Sequence, residues 1–199
     1  MKISHIHTQI VRLPGDEPLA GGPAASGATR DFVTLTIGTD AGVEGIGATF
    51  FGGALTAALN TAVDALGQLT LGEDPLRIEA IVAKLRAAAG NSGPGGIFTL
   101  ALAAIDIALW DIRGKAFNLP LARLIGGFRD RVPTYASGAL MRHFPLDHLV
   151  KAGPTLVAKG FRQMKTQLAL PGDTNPEREV EHIRLIRESV GANIDLMCD

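Results

Sequence analysis

Lys165 and Asp199 are the residues whose types and positions in this sequence best suit chemistry. Lys165 lies in the middle of an apolar-rich run, Phe161 to Leu170, and Asp199 ends a second short run, Ile194 to Asp199. Charge is costly inside a protein, so a charged residue within a run that resembles a buried strand needs a reason. A lysine and a carboxylate on neighbouring strands could form a plain ion pair or a functional site.

The elements around these two residues predict that they meet. Between the two runs lie Pro171, Gly172 and Pro176, followed by an amphipathic helix, so the order is strand, helix, strand, the βαβ unit of a parallel sheet. Alternation along the first strand puts Gln163, Lys165 and Gln167 on one face. Chemistry in parallel α/β folds occurs at the carboxyl ends of the strands, and Lys165 and Asp199 lie at or near those ends.

The first part of the chain has a different organisation. It begins with a predicted edge strand and continues with a hairpin and three helices, the last of them apolar on nearly every side. Between the edge strand and the hairpin lies a segment rich in Gly, Pro, Ala and Ser, Pro14 to Arg30, which is typical of a linker or a lid. The predicted strands are Lys2–Leu13, Phe32–Gly38 and Val43–Phe51, and the predicted helices are Ala54–Leu69, Asp74–Ala89 and Ile97–Ala116.

Two further pairs of residues have spacings that invite a functional interpretation. His5 and His7 share one face of the first strand, but without a nearby third ligand, surface or packing histidines are favoured over a metal pair. Asp106 and Asp111 lie on the third helix, about 140° apart around its axis. This divergence excludes one paired-carboxylate site and favours capping or interdomain hydrogen bonds.

Composition narrows the classes of function. The 199 residues are 46% hydrophobic with a net charge of −1, which argues against nucleic acid or an acidic membrane surface as the main partner. The single cysteine, Cys198, fits a reducing compartment. The sequence has neither a signal-peptide core nor an uninterrupted apolar run of about 18 residues. We therefore expect a cytoplasmic protein without a membrane partner.

Two motifs carry a family resemblance. The first is the helix ALAAIDIALWDIRGK, residues 101–115, with the following NLPLARLIGG, residues 118–127; the second is Gly160-Phe161 ahead of Lys165 and Asp199. Together they resemble the mandelate racemase and muconate lactonizing branch of the enolase superfamily. The resemblance implies an α+β capping domain, residues 1–126, followed by a (β/α) TIM-type barrel of which residues 127–199 supply the first three strands. Because a complete barrel takes about 250 residues, we expect a longer natural polypeptide.

The resemblance also implies roles for four residues. Lys165 matches the first lysine of a catalytic Lys-x-Lys pair, and Asp199 matches the first carboxylate ligand of a magnesium ion, Mg²⁺. Ser137, at the end of the predicted first barrel strand 131–138, matches a serine near the substrate carboxylate, although a strand-end serine can equally bond its own backbone. The second lysine is replaced by Gln167, an amide that cannot take a proton, and we expect Gln167 to bind substrate by hydrogen bonds.

The implied reaction removes the proton beside a carboxylate through an enediolate, with a small-molecule carboxylate as substrate. Racemisation needs a base on each face of the α-carbon, so the loss of one base favours dehydration of an acid sugar, an aldonate or aldarate. By the same resemblance the base is a histidine paired with an aspartate beyond Asp199, residues 14–30 reach over the barrel mouth, and the protein is a homo-oligomer. The alternatives are a racemase or epimerase, a cycloisomerase, which is less favoured than these, and a non-catalytic relative.

Overall fold

The chain folds as two compact units. The computed structural model describes residues 1–15, 19–21, 29–50, 53–169, 172 and 175–199. The first unit comprises residues 1–13 and 30–130, and the second comprises residues 14–29 and 131–199. Asp130 is the last residue of the first unit, and Arg123 Nη2 donates to Asp130 Oδ1 at 2.7 Å, which ties the intervening residues to that unit. The domain boundary after Gly126 stays a prediction.

The first unit is a three-stranded sheet covered by helices. The strand order is β1-β2-β3, and β2 and β3 pair antiparallel. Among the described residues, no helix is both long enough and apolar enough to cross a bilayer. The elements are β1 (Ile3–Pro14), β2 (Thr29–Thr39), β3 (Glu44–Thr49), α1 (Thr56–Gln68), α2 (Ile78–Ala89), α3 (Gly96–Ala116) and α4 (Leu121–Leu124), with a 3-10 turn at Gly90–Ser92.

Helix α3 packs unusually close to β3, because glycines line the strand where the helix crosses it. A Cβ atom added to Gly47 would lie 1.8 Å from the Ala104 carbonyl oxygen, and one added to Gly45 would lie 2.1 Å from the Ala108 carbonyl oxygen. Both obstacles are helix backbone, which cannot rotate away as a side chain can. The two glycines therefore set the distance between the sheet and α3.

The substitution Gly47→Ala should destabilise the protein by about 1–3 kcal/mol, since the added methyl group overpacks a rigid contact. Chemical denaturation monitored by circular dichroism measures this free energy of unfolding. Ala48→Val, on the next and outward-facing residue of the same strand, is the control and should change it by less than about 0.5 kcal/mol. Equal stability of the two variants would show that α3 can shift without cost.

Asp111, expected to act as a capping or interdomain hydrogen-bond partner, binds the edge strand of its own unit. Its Oδ2 accepts hydrogen bonds from the backbone N–H of Ile46 at 2.9 Å and from Lys115 Nζ at 2.8 Å. Lys115 Nζ also donates to the Glu44 carbonyl at 2.8 Å. The two side chains thus satisfy outward-facing backbone groups of β3, which an edge strand otherwise leaves open for aggregation.

Asp106 lies elsewhere on α3, where burial and the Glu79 carboxylate raise the pKa of its carboxyl group.

The second unit is a parallel sheet of order β4-β5-β6 with helices between its strands. This α+β unit followed by successive parallel β/α units confirms the predicted fold class. The apolar core of the second unit lies between the sheet and its two longer helices, and it includes the fully buried Leu149, Leu156, Met164 and Ile186. The elements are β4 (Ala136–Leu140), α5 (Leu146–Ala158), β5 (Gln163–Thr166), α6 (Pro176–Val190) and β6 (Asp195–Cys198).

The strands of the second unit are shorter or later than predicted. The first begins at Ala136 rather than Arg131, in keeping with Pro133, which has no N–H to donate to a ladder. The second covers only Gln163 to Thr166. Leu170, the predicted end of that strand, and Phe51, the predicted end of the hairpin, lie outside the described residues.

His182 on α6 makes the stability of the second unit sensitive to pH. The imidazole is buried, its Nε2 has no hydrogen-bond partner among the described residues, and burial lowers its pKa while the Glu179 carboxylate partly opposes this effect. A folded-state pKa below the unfolded value of about 6.5 means that the fold favours the neutral ring. This contribution is complete above about pH 6.5 and is lost as the pH falls towards the folded-state pKa.

Thermal melts between pH 7.5 and pH 5 should therefore show stability falling with pH, and His182→Leu should flatten this dependence. The control His7→Gln removes an exposed histidine of the first unit and should keep the slope. If thermal stability changes with pH in His182→Leu as it does in the unmodified protein, other titrating groups cause the pH dependence.

Candidate active site

The three-stranded parallel sheet presents one face to its helices and the other face away from them. Along β5, Met164 and Thr166 are buried on the helix side, while Gln163 and Lys165 alternate with them and are partly exposed. Thr166 is anchored by a hydrogen bond from its hydroxyl to the Leu140 carbonyl, at 2.9 Å. The packing of alternate residues therefore fixes the direction in which Lys165 projects.

Lys165 and Asp199 meet at the carboxyl end of the sheet. Lys165 Nζ lies 2.8 Å from Asp199 Oδ2, with 27% and 61% of the respective side chains exposed. The Asp199 N–H donates to the Thr166 carbonyl at 3.2 Å, and the Asp199 carbonyl accepts from the Leu168 N–H at 2.9 Å. These backbone bonds extend the pairing of β5 and β6 past Thr166 and Cys198, and they hold the carboxylate beside the lysine.

The surroundings of Lys165 favour its charged form. The hydrogen bond to Asp199 raises the pKa of the Lys165 ammonium above its usual value, and the nearby phenol of Tyr135 acts in the same direction. Partial burial works against both effects. Lys165 is consequently a cation at neutral pH, placed to share a negative charge.

Ser137 and Gln167 lie near this pair along the strands. Ser137 is exposed and follows Ala136, whose partner in the sheet is Met164, so it lies at about the level of Lys165 on the neighbouring strand. Gln167 is partly exposed and directly follows β5. Their substrate-binding roles, like the roles of Lys165 and Asp199, stay predictions.

Two residues that sequence reasoning missed belong to the same region. Tyr135 is close enough to Lys165 to affect its pKa, and its position two residues before Ser137 was a signal, because strand alternation places both on one face. Arg142 follows β4 and donates from Nη1 to the Leu168 carbonyl at 3.2 Å. Nothing in the local pattern around Arg142 indicates this long-range contact.

Asp199 is the residue that we expected to bind a metal at this edge, and that role stays a prediction. The described ranges contain no group of three or more His, Cys, Asp or Glu side chains that could hold a metal ion. A carboxylate is the hard ligand that Mg²⁺ prefers, so Asp199 fits the expected ion in chemical type. In the other candidate pair, His5 Nε2 lies 3.5 Å from a Glu44 oxygen, and His7 is exposed.

The predicted lid is only partly described. The Leu19 carbonyl accepts a hydrogen bond from Lys159 Nζ, and Lys159 directly follows α5, near the amino end of β5. This contact lies at the edge of the sheet opposite to Asp199. Residues 16–18 and 22–28 lie outside the described residues, and closure over the site stays a prediction.

Comparison with known proteins agrees with the architecture. Residues 17–126 match the family model described as mandelate racemase / muconate lactonizing enzyme, N-terminal domain. A 3,6-anhydro-alpha-L-galactonate cycloisomerase from Streptomyces coelicolor is 32% identical over 99% of this chain and 54% of its own length. An L-talarate/galactarate dehydratase from Salmonella typhimurium is 28% identical over 100% of this chain and 50% of its own length.

Solved structures give the same result. The crystal structure of that dehydratase matches with a TM-score of 0.87 at 28% identity, covering 100% of this chain and 51% of the other. A racemase from Streptomyces coelicolor with bound magnesium matches with a TM-score of 0.85 at 32% identity, covering 99% and 54%. This chain spans about half the length of these two relatives. It belongs to the mandelate racemase and muconate lactonizing enzyme branch of the enolase superfamily.

Proposed function

We propose that this protein is a magnesium-dependent acid-sugar dehydratase, which removes the proton beside a carboxylate and expels a hydroxyl group as water. The observation that carries the proposal is the contact of 2.8 Å between Lys165 Nζ and Asp199 Oδ2 at the carboxyl end of the parallel sheet. A cation beside a carboxylate that can bind Mg²⁺ would stabilise the negative charge on the acid group of a substrate. Relatives named as dehydratases of talarate, galactarate and galactonate support this reaction class.

Asp199 would hold Mg²⁺ as one of its ligands, and when bound the ion would stabilise the negative charge that develops on the substrate carboxylate. Lys165 would share that charge through a hydrogen bond from its ammonium group. Because the lysine is already fixed by Asp199, little reorganisation is needed when the substrate arrives. Ser137 and Gln167 would orient the substrate from neighbouring positions.

In this proposal, Gln167 is the residue that favours dehydration over inversion of configuration at the α-carbon. An amide neither accepts nor delivers a proton at neutral pH, so one face of the α-carbon lacks the base that the second lysine of the family pattern would supply. Proton removal from a single face is compatible with elimination of water, whereas racemisation needs proton exchange on both faces. A racemase or epimerase is therefore the second candidate.

The reaction class can be tested by incubating acid sugars with the full-length protein and Mg²⁺ and analysing the products by mass spectrometry. We expect a 2-keto-3-deoxy acid, lighter than its substrate by one water. A product of unchanged mass would instead indicate an epimerase or a cycloisomerase, the class of two relatives. No turnover across an aldonate and aldarate library would support the non-catalytic alternative.

The substitution Gln167→Lys tests the role of the amide. Adding a second amine should introduce solvent deuterium at the α-carbon of unreacted substrate, as measured by proton NMR in heavy water. Gln163→Lys is the matched control, because Gln163 lies on β5 with its side chain bound to Asp195 at 3.3 Å, and it should add no exchange. Exchange on both faces in the unmodified protein would contradict the argument from Gln167.

A further inference from the structure

Arg142 is held over the carboxyl edge of the parallel sheet. It lies two residues after Leu140, the last residue of β4, and its Nη1 donates to the Leu168 carbonyl beyond the end of β5, at 3.2 Å. The Leu168 N–H in turn donates to the Asp199 carbonyl at 2.9 Å. The arginine side chain therefore spans from the end of β4 to the end of β5, at the edge where Lys165 and Asp199 meet.

The positive charge of Arg142 is not matched by a carboxylate in the part of the chain that the structure describes. Three other arginines, Arg12, Arg123 and Arg184, each form an ion pair with an Asp or Glu. Arg142 is exposed and uses one N–H on a neutral carbonyl. A guanidinium group has five N–H donors in a fixed fork suited to a carboxylate, so most of its binding capacity remains available.

The edge thus carries two separate cations, the ammonium of Lys165 beside Asp199 and the guanidinium of Arg142 farther along it. A monocarboxylic sugar acid needs only the first, because its other end is a neutral hydroxyl group. A dicarboxylic acid has a second charged end that would remain without a partner unless a cation met it.

We propose that Arg142 binds the second, distal carboxylate of a dicarboxylic acid sugar whose first carboxylate lies at Lys165 and Asp199. This inference rests on the proposed function and selects aldarates over aldonates as its substrate class. Arg142 would act in specificity and not in proton transfer. Its bond to Leu168 holds the guanidinium in position before the substrate arrives, which lowers the cost of ordering a long side chain.

The test compares two pairs of acids that differ only at the distal end, galactarate with galactonate and talarate with talonate. Calorimetric titration with Mg²⁺ present gives Kd, and product formation gives kcat/KM. Arg142→Gln should weaken binding of the preferred diacid by about 10- to 100-fold, the usual effect of losing a hydrogen bond to a charged group, and should change binding of the matching monoacid by less than about threefold. Thermal melts verify that the variant is folded.

Arg162→Gln is the matched control. Arg162 is also exposed and also donates to backbone carbonyls, those of Val157 and Phe161, but it precedes β5 at the opposite edge of the sheet. It should leave the affinities for both acids unchanged. Selective loss of diacid binding in Arg142→Gln without turnover by any variant would uphold the inference while refuting the dehydratase proposal. Equal effects on diacid and monoacid, or no binding of either diacid by the unmodified protein, would overturn it.

Discussion

Asp199→Asn should lower kcat by at least about 100-fold, the scale expected when an electrostatic group aimed at the reacting charge is removed. The amide keeps the size of the carboxylate but loses its charge, so it is a poor ligand for Mg²⁺ and no longer pairs with Lys165, whose Nζ lies 2.8 Å away. Calorimetric titration with Mg²⁺ should show weaker binding in the same variant. Chelation of the metal in the unmodified protein should abolish turnover, and added Mg²⁺ should restore it.

The matched control for this prediction is Asp195→Asn. Asp195 is the first residue of β6, at the end of that strand opposite to Asp199, and its side chain accepts a hydrogen bond from Gln163 Nε2 at 3.3 Å. The variant loses the same charge from the same strand, yet it should change neither Mg²⁺ affinity nor kcat by more than about threefold. If both variants lose activity equally, a general effect of charge on the sheet would replace the ligand role.

The meeting of Lys165 and Asp199 could be predicted because it depends on local rules. A period of two along a strand places Lys165 on the face opposite to the buried Met164 and Thr166. A short βαβ unit makes β5 and β6 adjacent and parallel, and the observed register pairs Lys165 with Met197, two residues before Asp199. Although Lys165 and Asp199 are farther apart in sequence than Arg142 and Leu168, the general rule for βαβ units brings their strands together.

Features that do not follow from strand alternation or from the βαβ rule were not predictable from the sequence. Arg142 reaches Leu168 across 26 residues, and residues 14–29 belong to the second unit although most of the first unit follows them in sequence. The register between β4 and β5 shifts between Ala136 and Leu140, and neither alternation nor composition indicates such an irregularity. The helix that contains residues 101–115 was predicted from the sequence, whereas the hydrogen bond that Asp111 accepts from Ile46 on β3 was not.

Lys165→Met should lower kcat by about 10²- to 10⁴-fold, the range associated with loss of a positioned proton-transfer or charge-stabilising group. Methionine keeps an unbranched apolar side chain that fills the space of the lysine stem, so the fold should persist. The expected signature differs from that of Asp199→Asn, because removing the ammonium frees the Asp199 carboxylate that it now contacts. Mg²⁺ affinity should therefore be retained or increased while turnover is lost.

Lys159→Met separates this effect from a general loss of positive charge in the second unit. Lys159 donates to the Leu19 carbonyl near the amino end of β5, and its replacement should leave both kcat and Mg²⁺ affinity within about threefold of the unmodified values. Kinetics and calorimetry on both variants, with circular dichroism to establish folding, complete the comparison. A Lys165→Met protein that keeps full turnover would show that the contact with Asp199 is only an ion pair, because no chemical role would then remain for the lysine.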